Sequence, residues 1–241
     1  MDLPSQIEAA GFAIVPRVYE ADECRQITSG LFEVLTACSD DSTALRRANG
    51  AIYGARNLLD VFPVAVGLWK RKQLVELLTT VLGPRFGLVR GLYFDKPPAS
   101  TWSLPWHRDL TIAVRDHSLP SQQFRNPTTK GGVQHVEAPD ELLQQMLTLR
   151  IHLDNVHDEN GPLQVIPGTH HGRDSEAIER PVAIHAQTGD VLAMRPLLMH
   201  SSGSSREGTV LHRRVIHLEF AACETLPDGY QWHRFIPGLP A

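Results

Sequence analysis

The chain has 241 residues, a formal net charge of −4, and a composition of 42% hydrophobic and 21% charged residues. These values are typical of a globular protein and exclude a disordered, collagen-like or coiled-coil chain. The slightly negative charge gives no electrostatic support for binding to nucleic acid or to an anionic membrane.

The three cysteines have no CxxC spacing, which argues against a disulfide framework and favours a reducing compartment. The longest apolar run, residues 61–69, is far shorter than the ~20 residues of a membrane-spanning helix. The first residues lack the basic and apolar regions of a signal peptide. We therefore expect a cytoplasmic protein with a single domain over residues 1–241, and the sequence leaves its oligomeric state open.

The first third of the chain predicts helices around one short strand. Residues 4–10 predict a helix that ends at Gly11, and residues 12–15 predict a strand. Residues 20–35 and 74–82 place their apolar side chains on one helical face.

From Gly87 onward the hydrophobic period changes to two, and Gly, Pro and Asp turns separate short segments. We predict strands at 87–94, 110–114, 147–154, 163–166, 181–186, 190–195 and 213–220. Helices followed by a run of strands predict an α+β, mainly β, domain with a sandwich or barrel core.

The segment from Arg115 to Val136 interrupts these strands with two prolines and two glycines among Ser, Gln and Thr. This composition predicts a long loop, and long loops in compact domains are commonly lids or binding loops. Because the segment follows the predicted strand at 110–114, we expect a lid-like loop over residues 115–136. A surface insertion without such a role is the alternative.

Two predicted strands carry polar side chains on one face. In residues 147–154, leucines and one isoleucine alternate with Thr148, Arg150 and two further polar residues. The last strand repeats a similar pattern with Arg213 and His217. Alternate side chains of a strand point to opposite faces, so the polar faces line either a barrel interior or a solvated surface.

A His-x-Asp sequence at residues 107–109 precedes the predicted strand 110–114. Side chains at i and i+2 of an extended segment can reach one ion. A distant histidine would complete the two-histidine, one-carboxylate triad of non-haem iron oxygenases. A second His-x-Asp lies at residues 152–154, but the number of predicted strands before His200 favours the first pair.

Three ordered sequence blocks carry a more specific signal. Residues 160–170 read NGPLQVIPGTH, and residues 189–203 begin with GD and end with RPLLMHSSG. The third block, FDKPP at residues 94–98, shortly precedes WHRD at residues 106–109. Together these blocks resemble the NGxLxVxPGTH, GD…HPLLxHGSG and KPP…HxD segments of the phytanoyl-CoA dioxygenase family, which comprises Fe(II)- and 2-oxoglutarate-dependent oxygenases.

The resemblance spans about residues 50–221 and implies a fold, cofactors and an iron site. The implied fold is a double-stranded β-helix, a cupin-like jelly roll, with the N-terminal helices packed on one sheet. The implied cofactors are Fe(II), 2-oxoglutarate and O₂. The implied iron ligands are His107, Asp109 and His200.

The resemblance also implies which residues bind the cosubstrate. Arg213 matches the arginine that holds the C5 carboxylate of 2-oxoglutarate, a role that suits a bidentate guanidinium. Arg214 stays as an alternative, because the spacing from the distal histidine is about two residues longer than usual. Ser202 matches a hydroxyl near the same carboxylate, and Arg56 matches a basic residue that reaches the cosubstrate.

Arg150 departs from the family pattern, because relatives have an aromatic side chain near the cosubstrate at this position. We expect Arg150 to lie at the cosubstrate site. Two other roles stay open for it: binding an anionic substrate or pairing with Asp154.

The sequence thus predicts a dioxygenase that hydroxylates an unactivated C–H bond of a small, anionic molecule and releases succinate and CO₂. Related halogenases lack the carboxylate ligand, so the presence of Asp109 favours hydroxylation. Two alternatives stay open: an oxygenase that catalyses desaturation or cyclisation, and a non-enzymatic jelly-roll protein that binds a metal or ligand. A small-molecule substrate is the expected partner, with no nucleic acid and no membrane.

Overall fold

The structure is a computed structural model that describes residues 1–40, 43–98, 101–172 and 180–238. Its helices are α1 (Leu3–Ala10), α2 (Ala21–Ala37), α3 (Leu58–Val61), α4 (Ala65–Leu68), α5 (Lys72–Leu82) and α6 (Asp140–Leu143), with short 3-10 turns at Asp158–Asn160, Thr169–His171 and Pro227–Gly229. Its strands are β1 (Phe12–Val15), β2 (Ala44–Arg46), β3 (Ile52–Ala55), β4 (Gly87–Lys96), β5 (Leu104–His107), β6 (Thr111–Val114), β7 (Arg125–Lys130), β8 (Val133–Glu137), β9 (Met146–His152), β10 (Leu163–Val165), β11 (Val182–Ile184), β12 (Val191–Met194), β13 (His200–Ser202), β14 (Arg213–Ala221) and β15 (Ile236–Pro237).

The strands form three antiparallel sheets within the described residues. The large sheet has the order β1-β12-β9-β14-β4-β3-β2, with β15 also paired to β4. The small sheet has the order β11-β10-β13-β5, and the third sheet has the order β6-β8-β7. Apolar side chains of β10 and β11 pack against those of β12, so the small sheet lies on one face of the large sheet.

The N-terminal helices cover the other face of the large sheet. Helix α1 ends at Gly11, whose φ of 86° is left-handed and whose N–H donates to the Ile7 carbonyl. Helix α5 buries Leu74, Leu78 and two further leucines in a core shared with β9 and β14. Burying leucines in this way stabilises the fold by about 1.5–3 kcal/mol per side chain.

Strands β9 and β14 therefore divide their side chains between two environments. Leu149 of β9 and Leu218 of β14 are fully buried on the helical side. Arg150, Arg213 and His217 point to the opposite side and line a cavity between the sheets. The polar faces thus line the interior, which confirms the first of the two predicted arrangements.

The segment 115–136 is not the long loop that its composition predicts. It contains β7 and most of β8, which pair as a hairpin whose two-residue turn is Gly131-Gly132. Both glycines have positive φ, 57° and 73°, as a primed hairpin turn requires. Pro127 is tolerated because β7 is an edge strand whose pairing is irregular between Arg125 and Thr128.

No helix in the described ranges has both the length and the apolar character needed to cross a membrane.

Candidate metal and cosubstrate site

Three predicted metal ligands converge where the small sheet meets the loop after β5. The register of β5 and β13 places His107 opposite His200, and the two imidazole centroids are 4.2 Å apart. The Asp109 carboxylate lies 3.9 Å from Nε2 of His107 and 3.7 Å from Nε2 of His200. In the part of the chain that the structure describes, this is the one group of three His, Cys, Asp or Glu side chains close enough to share an ion.

Hydrogen bonds fix which nitrogen of each histidine faces the centre of the triad. Nδ1 of His107 lies 2.8 Å from the Pro105 carbonyl, and Nδ1 of His200 lies 2.8 Å from the Leu198 carbonyl. A carbonyl oxygen can only accept, so each Nδ1 carries the hydrogen and each Nε2 offers its lone pair. This pattern of hydrogen bonds is the usual one for metal-binding histidines.

The charges of the triad also fit a divalent ion. Burial lowers the pKa of His200 to about 4, so its imidazole is neutral at pH 7. Burial opposes ionisation of Asp109, but His200 and His217 hold its pKa below the ordinary value. Two imidazoles and one carboxylate on one side of an ion suit non-haem Fe(II) and leave positions open for other ligands.

The triad opens into a cavity of about 280 Å³ between the large and small sheets. This volume is close to the lower end of small-molecule pockets. The charged and hydrogen-bonding side chains that line it are Arg56, Arg90, His107, Asp109, Thr111, Lys130, Arg150, His200, Ser202, Arg213, His217 and Glu219. All seven residues predicted for the site are therefore brought to one cavity.

Arg213 and Arg214 point to opposite sides of β14. Arg213 is 2% exposed, and its Nε has no hydrogen-bond partner among the described residues. Burial and the nearby Arg150 lower its pKa to about 9, which still leaves it cationic at pH 7. Arg214 instead binds Asp154 on the helical side, with Nε–Oδ2 at 2.8 Å. Of the two candidates, Arg213 is the one that faces the cavity.

Ser202 has a partner that the sequence reasoning did not identify. Lys96 is fully buried on β4, opposite Arg213, and its Nζ lies 3.0 Å from the Ser202 hydroxyl. The same nitrogen also donates to the Gly203 carbonyl. Burial and the neighbouring Arg213 lower the pKa of Lys96 to about 6. This lysine belongs to the FDKPP block at residues 94–98, but the resemblance of that block to the family did not indicate a role for it.

Arg150 lies in the cavity, and Arg214 occupies the Asp154 carboxylate with which Arg150 could have paired. The Nη1 of Arg150 is 3.4 Å from Nδ1 of His217, and its Nε has no partner among the described residues. Since arginine can only donate, Nδ1 of His217 must accept. The unpartnered Nε is a buried donor that a ligand could satisfy.

His217 and Glu219 continue this polar line along β14, and sequence reasoning gave neither a role. Nε2 of His217 lies 3.3 Å from the Glu219 carboxylate, and the Arg90 guanidinium lies 3.3 Å from the same carboxylate. Burial opposes ionisation of Glu219, but Arg90 and His217 hold its pKa below the ordinary value. The alternation of polar residues in the last strand was the signal for this line of side chains.

The second His-x-Asp sequence does not form a metal site. His152 is 2% exposed, and burial lowers its pKa to about 3. Asp154 is held by Arg214 at the end of the strand. The preference for His107 and Asp109 over this pair is therefore supported by the geometry.

A model of the family described as phytanoyl-CoA dioxygenase matches residues 7–209. Among solved structures, AviO1 from Streptomyces viridochromogenes Tue57 is similar at 23% identity and a TM-score of 0.63, covering 91% of this chain and 93% of that one.

Two further structures have the same fold. EctD from S. alaskensis with bound Fe is 20% identical with a TM-score of 0.67, covering 90% of this chain and 75% of that one. The non-haem α-ketoglutarate-dependent epimerase SnoN from nogalamycin biosynthesis is 16% identical with a TM-score of 0.66, covering 94% of this chain and 85% of that one. The predicted α+β, mainly β, jelly-roll fold is thus confirmed.

Proposed function

The chain belongs to the phytanoyl-CoA dioxygenase family, and from that premise we propose that it hydroxylates an unactivated C–H bond of a small, anionic molecule. As a member of this family of non-haem iron oxygenases, it is an enzyme that uses Fe(II), 2-oxoglutarate and O₂. Family membership overturns the alternative of a non-enzymatic binding protein.

The observation that most strongly supports the proposal is the joint placement of the triad and Arg213 in one cavity. The triad supplies three ligands on one side of an ion, and Arg213 supplies a buried cation with an unpartnered donor. A buried guanidinium without a carboxylate is costly in free energy unless a ligand brings one. The free carboxylate of 2-oxoglutarate is such a ligand.

When bound, Fe(II) with 2-oxoglutarate activates O₂ and transfers one oxygen atom to the substrate, while 2-oxoglutarate is converted to succinate and CO₂. We assign metal binding to His107, Asp109 and His200. We assign the C5 carboxylate of the cosubstrate to Arg213 and to the Ser202 hydroxyl, which Lys96 holds in place.

Arg150 borders the proposed cosubstrate site from β9, on the same face of the large sheet as Arg213. The pKa of Asp109 is affected by Arg150, which places this guanidinium within electrostatic range of the metal ligand. Phe94 and Trp102, whose ring centroids are 6.4 Å apart, form an apolar wall that limits water in the cavity. Excluding water strengthens every charge interaction within the site.

Succinate formation and metal binding test the proposal together. We expect the wild-type protein to bind one Fe(II) and to release succinate from 2-oxoglutarate, with acceleration by the correct compound in a panel of small carboxylates and phosphate esters. Asp109→Asn should abolish metal binding and succinate release. Asp116→Asn, which changes an exposed carboxylate that hydrogen-bonds Ser118 locally, is the matched control.

The mass of the product distinguishes the possible reactions. Hydroxylation adds one oxygen atom to the substrate, whereas desaturation or cyclisation removes two hydrogen atoms and adds no oxygen. A product without added oxygen would contradict hydroxylation, and absence of metal-dependent succinate release would contradict the whole proposal.

A further inference from the structure

The face of the large sheet that lines the cavity has basic residues at both ends. The proposed function uses only one end, where Arg213 binds the cosubstrate. The register of β4 and β14 pairs Lys96 with Arg213 at one end and Arg90 with Glu219 at the other. The two pairs lie six positions apart along β4, which corresponds to roughly 20 Å at ~3.3 Å per residue. One 2-oxoglutarate molecule held by Arg213 therefore leaves the Arg90 end for another ligand.

The triad lies between these ends. The pKa of Asp109 is affected by His217 and Arg150, which face each other across β14 and β9 midway along the sheet. The pKa of Arg213 is affected by Arg150 as well. A cosubstrate that connects Arg213 with the triad thus occupies one half of the cavity, and a substrate has the other half.

Arg56 lies in the second half. Strand β3 pairs with β4 through Gly54 opposite Phe94 and Ala55 opposite Tyr93. Continuing this antiparallel pairing brings Arg56 beside the next residue of β4, toward Arg90 and away from Lys96. Arg56 lines the cavity there.

Lys130 reaches the same half from the β7–β8 hairpin. Its Nζ lies 3.2 Å from the Thr111 hydroxyl and lines the cavity. The Asn57 side chain donates to the Gly131 carbonyl at 2.8 Å, which ties the hairpin turn to the segment that carries Arg56. Burial, Arg90 and Arg56 lower the pKa of Lys130 more than Asp109 and Glu219 raise it, so the three cations lie within electrostatic range of one another.

Within the described residues, Arg56 and Lys130 form no ion pair of their own. Arg90 is paired with Glu219, and Asp109 belongs to the metal triad. Both carboxylates act on Lys130 from a distance and raise its pKa, but each already belongs to another group. Two neighbouring, partly desolvated cations repel each other, and a bound anion would relieve the repulsion.

We propose that Arg56 and Lys130 form an anion subsite that holds the carboxylate or phosphate group of the substrate at the end of the cavity opposite Arg213. This inference rests on the proposed function and deepens it by naming the residues that select the substrate. It assigns Arg56 to the substrate, whereas the resemblance assigns it to the cosubstrate. Bound at this end, the anion directs the rest of the substrate toward the triad.

The experiment measures anion binding without turnover. The protein is loaded with Ni(II) and N-oxalylglycine, an unreactive analogue of 2-oxoglutarate, so that the Arg213 end is filled. Inorganic phosphate and propionate are then titrated separately by calorimetry, which distinguishes a phosphate subsite from a carboxylate subsite. The variants are Arg56→Met and Lys130→Met, and Lys72→Met on the exposed surface of α5 is the charge-matched control.

We expect at least one of the two anions to bind the wild-type protein. Arg56→Met and Lys130→Met should each weaken that binding about tenfold, which corresponds to ~1.4 kcal/mol. Lys72→Met should bind as the wild type does, and N-oxalylglycine affinity should be unchanged in all three variants. Lys130→Arg, which keeps the cation, should restore most of the anion affinity and shows that a loss in Lys130→Met comes from the charge.

Three results would overturn the proposal: neither anion binds the loaded wild-type protein, both Met variants bind as tightly as the wild type, or Arg56→Met weakens N-oxalylglycine as much as the anion. A failure of the proposed function is separately visible, because the wild-type protein would then not bind Ni(II) with N-oxalylglycine.

Discussion

Arg214 and Asp154 form a two-pronged ion pair, with Nε–Oδ2 at 2.8 Å and Nη2–Oδ1 at 2.5 Å. The Arg214 backbone N–H also donates to Oδ2 of Asp154 at 2.8 Å, so the pair fixes the strand as well as the side chain. Because neighbouring residues of a strand face opposite sides, this pair directs Arg213 into the cavity. The ion pair on the outer face and the pairing of β14 with β4 and β9 therefore leave Arg213, and not Arg214, facing the cavity.

The two arginines should respond differently to the same substitution. Arg213→Lys removes a bidentate donor from a buried carboxylate site, and we expect a loss of ~2–5 kcal/mol in 2-oxoglutarate binding. Arg214→Lys is the matched control and should leave 2-oxoglutarate affinity unchanged while lowering the thermal midpoint. Calorimetric titration of the Ni(II) protein with 2-oxoglutarate measures the affinity of each variant, and thermal unfolding measures its midpoint. A weaker affinity in Arg214→Lys alone would contradict our assignment.

Lys96 should act on the cosubstrate through Ser202. Lys96→Met keeps most of the apolar stem but removes the donor to the Ser202 hydroxyl and to the Gly203 carbonyl. We expect 2-oxoglutarate affinity to fall about tenfold, or ~1.4 kcal/mol, while Ni(II) affinity stays the same.

General destabilisation of the protein by Lys96→Met is the alternative explanation for such a loss of affinity. A second variant distinguishes it from a specific effect through Ser202. Ser202→Ala removes only the hydroxyl, so it should reproduce a large part of the affinity loss with little change in the thermal midpoint. If Ser202→Ala binds 2-oxoglutarate like the wild type, Lys96 does not act through Ser202.

Elements with their own periodic pattern could be predicted from the sequence. Helix α5 was predicted at 74–82 and spans Lys72–Leu82, and β14 was predicted at 213–220 and spans Arg213–Ala221. Strand β5 was missed, because Leu104–His107 contains a proline and is largely exposed without alternation. Its extended form depends on pairing with β13, a contact that no local pattern encodes.

The same distinction holds for the site. His107, Asp109 and His200 were identified because a motif and a strand count indicated them. Lys96 and Glu219 were not, because their roles depend on which residue faces them across β4 and β14. Such register becomes visible only when the strands are placed side by side.

His152 should make the protein sensitive to acid. Burial, followed by the charges of Arg150 and Arg213, lowers its pKa from 6.5 to about 3. Between these two pH values the unfolded chain binds a proton at His152 that the folded protein does not bind. The free energy of unfolding is therefore not reduced by His152 above pH 6.5, and it falls as the pH decreases toward 3. His152 alone should contribute a loss of about 2 kcal/mol at pH 5 relative to pH 7, at ~1.4 kcal/mol per pH unit. Burial also lowers the pKa values of His135, His170 and His200, so these residues add to the loss.

Urea unfolding of the metal-free protein at pH 7 and pH 5 tests this expectation. Neither ring nitrogen of His152 has a hydrogen-bond partner in the described residues, so His152→Leu loses no hydrogen bond and should reduce the difference between the two pH values. His185→Gln, which changes an exposed histidine beside Asp158, should retain the wild-type difference. An equal pH dependence in wild type and His152→Leu would show that other groups cause it.

The β7–β8 hairpin should open more readily when its link to Asn57 is removed. Asn57 has a φ of 53°, a left-handed value that glycine also adopts without strain. Asn57→Gly therefore keeps the backbone and removes only the side-chain donor to Gly131. One hydrogen bond is worth about 1 kcal/mol, so amides in the hairpin should exchange with deuterium about five times faster.

This measurement also tests the predicted lid over residues 115–136. If the hairpin covers the cavity, Asn57→Gly should bind phosphate or propionate more weakly in the Ni(II)–N-oxalylglycine protein, because Lys130 is then less firmly positioned. Asn49→Gly is the control, since Asn49 accepts only a local hydrogen bond from Ala51. Unchanged hairpin exchange in Asn57→Gly would mean that the pairing of β8 with β6 and the packing of Val133 and Val136 hold the hairpin closed without this link, and a lid that opens at this turn would be ruled out.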